Sequence, residues 1–122
     1  MKIQWKEREI SNYVINILES LRLNGKLTYF INIEGGKRDK RQQASLKMQG
    51  VRSGRPDIEI ITDNKIIFIE LKRLNGGVVS KNQREQIKEL NKFNAEVHII
   101  RALDGPDAVS QIKSKLDTTR SL

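Results

Sequence analysis

The sequence predicts a single α/β domain over residues 1–122, with the element order α-β-β-β-α-β-α. Three observations carry this expectation. Apolar residues recur at three- and four-residue intervals in three stretches, as on helices buried along one side. Four other stretches are short, rich in isoleucine, valine and aromatic residues, and bounded by Gly, Asn or Asp, as strands are. A chain of 122 residues without cysteine buries roughly two thirds of its unfolded surface, enough for one core without disulfides or a structural zinc. The absence of cysteine also removes thiolate catalysis, zinc fingers and iron–sulfur clusters.

The first helix is expected over Trp5 to Leu23, where Ile10, Val14, Ile17, Leu18 and Leu21 share one side and Asn24-Gly25 supplies the stop. Leu27 to Ile33 (LTYFINI) reads as a strand. Asp57 to Thr62 (DIEIIT) and Lys65 to Arg73 (KIIFIELKR) read as two more, joined in a hairpin by a turn at Asp63-Asn64. Asn75-Gly76-Gly77 breaks the chain, and Ser80 to Phe93 carries Ile87, Leu90 and Phe93 at helical spacing. Glu96 to Arg101 (EVHIIR) is the fourth strand and Asp107 to Leu116 a last short helix. His98, the only histidine, has no acid pair suggested by the pattern and reads as structural or surface. Trp5, Tyr29 and Phe93 read as core or interface residues. No apolar run approaches the ~18 residues of a membrane span. The first residues, MKIQWKEREI, alternate charge with apolar groups, unlike a signal peptide. The expectation is a soluble, cytoplasmic chain with no membrane partner.

Charge is distributed unevenly. The formal net charge is +8, which points to an anionic partner, nucleic acid above all. Lys37, Arg38, Lys40, Arg41, Lys47, Arg52 and Arg55, with the single acid Asp39, place +6 of it between Gly35 and Arg55. Gly35, Gly36, Gly50 and Gly54 punctuate that stretch, which reads as a long connection with a short helix at Gln42 to Met48. Long loops in compact domains are commonly functional, and cations beside close-approach glycines suit a phosphate backbone. A solvated loop is the plainer reading.

The hairpin brings carboxylates together. A two-residue turn at Asp63-Asn64 pairs Thr62 with Lys65 and sets Asp57 across from Glu70, Cβ atoms about 5 Å apart. Such a turn needs left-handed backbone, which Asn tolerates. Patterning supports the same register, because it gathers Ile58, Ile60, Ile67, Ile69 and Leu71 on one apolar face. A slip of one residue would mix the acids with the isoleucines. The other face carries Asp57, Glu59, Glu70 and Lys72 at its open end. Facing carboxylates repel unless something positive lies between them. Oxygen ligands without His or Cys suit Mg²⁺ or Mn²⁺. With Lys72 two residues beyond Glu70, the set suits phosphodiester hydrolysis. The alternative is an ion-pair ladder on a solvated sheet face.

Pro56-Asp57, thirteen positions before Glu70-Leu71-Lys72, resembles the PD-(D/E)-x-K pattern of restriction-endonuclease-like nucleases, whose αβββαβ core has a central mixed sheet flanked by helices. The wider strings GGKRDKRQQASLKMQGVRSGRPDIEI, IFIELKR and GGVVSKNQREQIKELNKFNAEV resemble the VRR-NUC family, from about Glu7 to about Leu116. The family includes small stand-alone phage and bacterial nucleases and the nuclease domain of the Fanconi-associated nuclease. The resemblance implies Asp57, Glu70 and the Leu71 carbonyl as metal ligands, Lys72 as the catalytic lysine, and Gln83 as a glutamine reaching the active site. Gln83 also reads as the partner of Ser80 in a helix capping box. An acid from the first helix is also implied. Glu7 is the choice, three residues before Ile10 and close to the buried stripe, with Glu9 next; helix-start acids also arise from the dipole alone. The motif behind the family's name, Val-Arg-Arg, departs here to Val51-Arg52-Ser53, with Arg55 following Gly54.

The expectation is thus a Mg²⁺- or Mn²⁺-dependent DNA endonuclease leaving 5′-phosphate and 3′-hydroxyl ends. The preferred substrate is branched duplex such as a four-way junction, cut by a homodimer in a bacterial or phage-infected cell. The alternatives are a nicking or loosely specific nuclease, and a DNA-binding module that retains the fold without catalysis.

Overall fold

The computed structural model describes residues 3–32, 48 and 54–117. Helix α1 spans Glu7–Leu23 and strand β1 Thr28–Ile31; strands β2 (Ile58–Ile61) and β3 (Ile66–Arg73), helix α2 (Lys81–Lys92), strand β4 (Glu96–Ala102) and helix α3 (Gly105–Asp117) follow. The strands form one sheet in the order β1-β2-β3-β4. The first three are antiparallel, and β4 runs parallel to β3, a pairing that requires the crossover α2 provides.

The alternation of the hairpin decides the layers. Ile58, Ile60, Ile67, Ile69 and Leu71 are buried on one face with Ile100 and Ala102 of β4. Ile10, Val14 and Leu18 of α1 and Ala108 and Ile112 of α3 cover them. Ile17 and Leu21, expected on the same stripe, are half-buried, since they flank the contact between α1 and α3. Trp5, Leu27 and Tyr29 pack at its margin, and Trp5 meets Tyr13 edge to face at 5.8 Å. Phe93 is outside the core: it is 73% exposed, with the Lys92 ammonium 5.8 Å from its ring. Helical spacing gave it a side, but α2 has no buried residue. Among the described residues no helix is long and apolar enough to cross a membrane.

Element ends follow their caps. Asn24 closes α1, followed by Gly25 at φ 72°. Helix α3 begins two residues earlier than expected, because Asp104 accepts the Asp107 N–H (2.9 Å) and Asp107 accepts the Leu103 N–H (3.0 Å). The hairpin register is the expected one, with Ile58 opposite Ile69 and Ile61 opposite Ile66, and Thr62 N–H bonds to Lys65 O at 2.8 Å. The turn itself differs. Asn94 is the only non-glycine with positive φ among the described residues, so Asp63-Asn64 turns without left-handed backbone. The isoleucine face therefore holds this register without help from a mirror-image turn. Of the short helix expected at Gln42 to Met48, all but Met48 lies outside the described residues, as does Ile33.

Candidate active site

The site forms where β2 and β3 part. One step beyond the Ile58–Ile69 pair, the Asp57 side chain rather than a backbone carbonyl accepts the Leu71 N–H, at 2.9 Å from Oδ2. The Asp57 carbonyl accepts the Asn32 N–H at 2.8 Å, tying the end of β1 to the same point. Glu70, across from Asp57, is only 1% exposed. Its Oε2 accepts from Gln83 Nε2 at 2.8 Å and lies 3.3 Å from Lys72 Nζ. Lys72 Nζ is also 3.8 Å from Glu7 Oε1. Four elements thus converge: the start of α1, the lead-in to β2, the end of β3 and the first turn of α2.

The electrostatics are those of crowded acids. Burial, then the Asp57 charge, push the Glu70 carboxyl from 4.5 up to about 8, against the opposing pull of Lys72. Glu7 Oε1 and Glu70 Oε1 are both buried without a hydrogen-bond partner. Leaving a fully buried acceptor such as the Glu70 oxygen unsatisfied costs on the order of 1–3 kcal/mol, and a cation would relieve it. The donor chemistry is all oxygen, as Mg²⁺ and Mn²⁺ prefer. Among the described residues no three His, Cys, Asp or Glu side chains are grouped so that they could hold a metal ion.

The two readings of Gln83 coexist in one side chain. Its Oε1 accepts the Ser80 N–H (2.9 Å) and its backbone N–H bonds to Ser80 Oγ (3.1 Å), closing a capping box, while Nε2 remains for Glu70. The first-helix acids separate. Glu9 Oε1 accepts the Lys6 N–H at 3.0 Å and caps the helix, whereas Glu7 turns toward Lys72. Glu59 stands opposite Phe68, two positions from the centre. Arg55 is exposed, two residues before Asp57. Lys37, Arg38, Lys40, Arg41, Lys47 and Arg52 lie outside the described residues.

A cleft of about 250 Å³ opens on this end of the sheet, and its lining includes Glu7, Arg8, Ser11, Asn32, Asp57 and Leu71. Sequence reading did not single out Arg8, Ser11 or Asn32. Ser11 lies four residues after Glu7 and so on its side of α1, a signal that was available; Asn32 depends on the β1–β2 pairing. His98 was read without an acid partner, yet its Nε2 lies 2.6 Å from Glu96 Oε2, because residues two apart on a strand share a face. Lys65 Nζ lies 3.4 Å from the same Glu96 oxygen. Burial alone would raise the Glu96 carboxyl, but the His98 and Lys65 contacts hold it below its ordinary value.

The sequence matches the VRR-NUC domain over residues 2–104. The chain belongs to the VRR-NUC domain family. This is a nuclease domain, and its matched span ends just before α3, short of the Leu116 expected from the resemblance. A solved structure described as a "VRR_NUC domain protein" superposes with a TM-score of 0.61, covering 90% of this chain and 87% of that one at 19% identity. The VRR-NUC fold, a mixed four-stranded sheet flanked by helices, is common to both. No curated protein matches the chain.

Proposed function

We propose that this VRR-NUC domain is a Mg²⁺- or Mn²⁺-dependent endodeoxyribonuclease that cuts branched duplex DNA as a homodimer. The observation carrying the metal-dependent reading is the buried Glu70 Oε1, which has no hydrogen-bond partner, beside Asp57 and a Glu7 oxygen that has only the Lys72 ammonium 3.8 Å away. A sheet end that served folding alone would not bury an acid as fully as Glu70 and leave one of its oxygens unsatisfied. Asp57, Glu70, Glu7 and the Leu71 carbonyl would hold the cation. When bound, it supplies Lewis acidity toward the scissile phosphate and offsets the carboxylate repulsion.

The chain's own groups do the rest. Lys72 Nζ, held between Glu70 and Glu7, donates hydrogen bonds where negative charge develops on the phosphate oxygens. Gln83 Nε2 fixes the Glu70 rotamer, and Ser80 fixes Gln83, so the carboxylate is oriented before substrate arrives. Lys37, Arg38, Lys40, Arg41, Lys47, Arg52 and Arg55 would take the duplex backbone on the approach to Asp57. The described residues contain one such site per chain, so symmetric cuts across a four-way junction need two copies. The family resemblance implies 5′-phosphate and 3′-hydroxyl products.

The test is incubation with labelled four-way junction, flap and linear duplex in Mg²⁺, Mn²⁺ or EDTA. Junction cutting that EDTA stops, and that Asp57→Ala and Glu70→Ala abolish, is expected. Cutting that survives in either variant would remove the metal assignment. Equal cutting of linear duplex would replace branch specificity with a loosely specific nuclease, and binding without cutting would leave a DNA-binding module.

A further inference from the structure

Among the described residues, the cleft beside the site holds three polar side chains without partners. Among the described residues Arg8 is exposed and makes no hydrogen bond or ion pair, and the Ser11 hydroxyl and the Asn32 side-chain amide make none either. All three line the same cleft as Glu7, Asp57 and Leu71. Arg8 is the most telling of them. A cation in the first turn of a helix sits against the positive end of the dipole, and no ion pair offsets that placement. The nearby acids do not employ it, since Glu9 caps Lys6 and Glu7 faces Lys72. Its guanidinium remains able to make the bidentate contact that suits a phosphate. A DNA backbone laid over a centre built of carboxylates gains from a cation on its flank.

We infer that Arg8, with Ser11 and Asn32, forms a phosphate subsite that holds the phosphodiester adjoining the one cut. This rests on the nuclease reading of the same site and adds to it the contact that sets where the backbone lies. Arg8 is a positioning residue: it grips the neighbouring phosphate, while the reacting atoms remain with Asp57, Glu70 and Lys72. Arg and the two neutral donors read no bases, so the subsite is indifferent to sequence.

The test uses the full chain with a fluorescent duplex or junction in Ca²⁺ for binding, and Mg²⁺ for single-turnover cutting. Arg8→Ala should weaken binding roughly tenfold and reduce the slope of log affinity against log salt by about one. It should also slow cutting, while Mn²⁺ affinity without DNA stays unchanged. Its melting temperature should hold or rise, because a cation has left the helix N-terminus. Arg8→Lys should regain the salt slope but not the full cutting rate, since an ammonium lacks the planar fork. A wild-type protein that cuts, paired with an Arg8→Ala variant of unchanged slope and rate, overturns the subsite alone. A wild-type protein that neither binds nor cuts takes the nuclease reading down with it.

Discussion

Glu70 concentrates the tension of the site: a carboxylate 1% exposed, facing Asp57, with one oxygen held by Gln83 and Lys72 and the other by nothing. Its folded-state value lies above the ordinary one, so between about 4.5 and about 8 the folded protein holds a proton that the unfolded chain has released. By linkage its contribution favours the fold fully below about 4.5 and is lost as pH rises through about 8. The melting temperature of metal-free protein should therefore fall over that range more steeply than that of Glu70→Gln, which carries no such proton; parallel curves would show that the burial effect is absent in solution. Lys72 has the complementary role. Lys72→Ala should lower the single-turnover cutting rate about 10²–10³-fold, as loss of a charge-stabilising donor does, with the fold retained by circular dichroism.

The first turn of α2 and the chain before β2 set the precision of the site. Gly54 has φ +88°, and a Cβ there would come 2.5 Å from the Asn82 backbone carbonyl. Nothing but glycine fits, and the contact joins the lead-in to Asp57 to the turn that carries Gln83. Gly54→Ala should lower both stability and cutting, whereas Gly25→Ala, at φ +72° with open space around it, should cost about 1 kcal/mol of backbone strain and leave cutting unchanged. Matched losses of activity in the two variants would separate Gly54 from the site. The capping box gives a second comparison. Ser80→Ala should cost about 1 kcal/mol in denaturant unfolding with a small effect on rate. Gln83→Ala should also release Glu70 and reduce the rate further, and equal rates would confine Gln83 to capping.

At the scale of the whole molecule, the acids occupy one end of the sheet and the basic stretch leads into it through Arg55, Pro56 and Asp57. Strand pairing joins the two halves: the Asn32 N–H on Asp57 O ties the chain entering that stretch to the chain leaving it. Neutralising Arg38 and Arg41 together should weaken duplex binding and lower the salt slope by about two; an unchanged slope would take the stretch out of the interface. A homodimer should show as a two-chain mass in light scattering, and junction cuts should come in pairs.

Much of this is legible in the sequence. Strict alternation over Ile58, Ile60, Ile67, Ile69 and Leu71 permits one register, since any slip exposes the isoleucines, and that register alone places Asp57 across from Glu70 and Lys72 beside it. The PD and ELK residues could be read because they lie on one hairpin. Periodicity was less informative where it named a side without a neighbour to cover it, as at Phe93, and where two faces compete, as at Ile17. The reach of Glu7 to Lys72, the burial that raises Glu70, the double duty of Gln83 and the free Arg8 depend on α1 and α2 docking against a distant sheet end. The hairpin, its apolar face and the carboxylates on the other follow from alternation along the chain, because the pleat has a period of two and its energetics are local. Which helix residues come up to that end of the sheet, and which Glu70 oxygen lacks a donor, follow from packing between segments far apart in the chain.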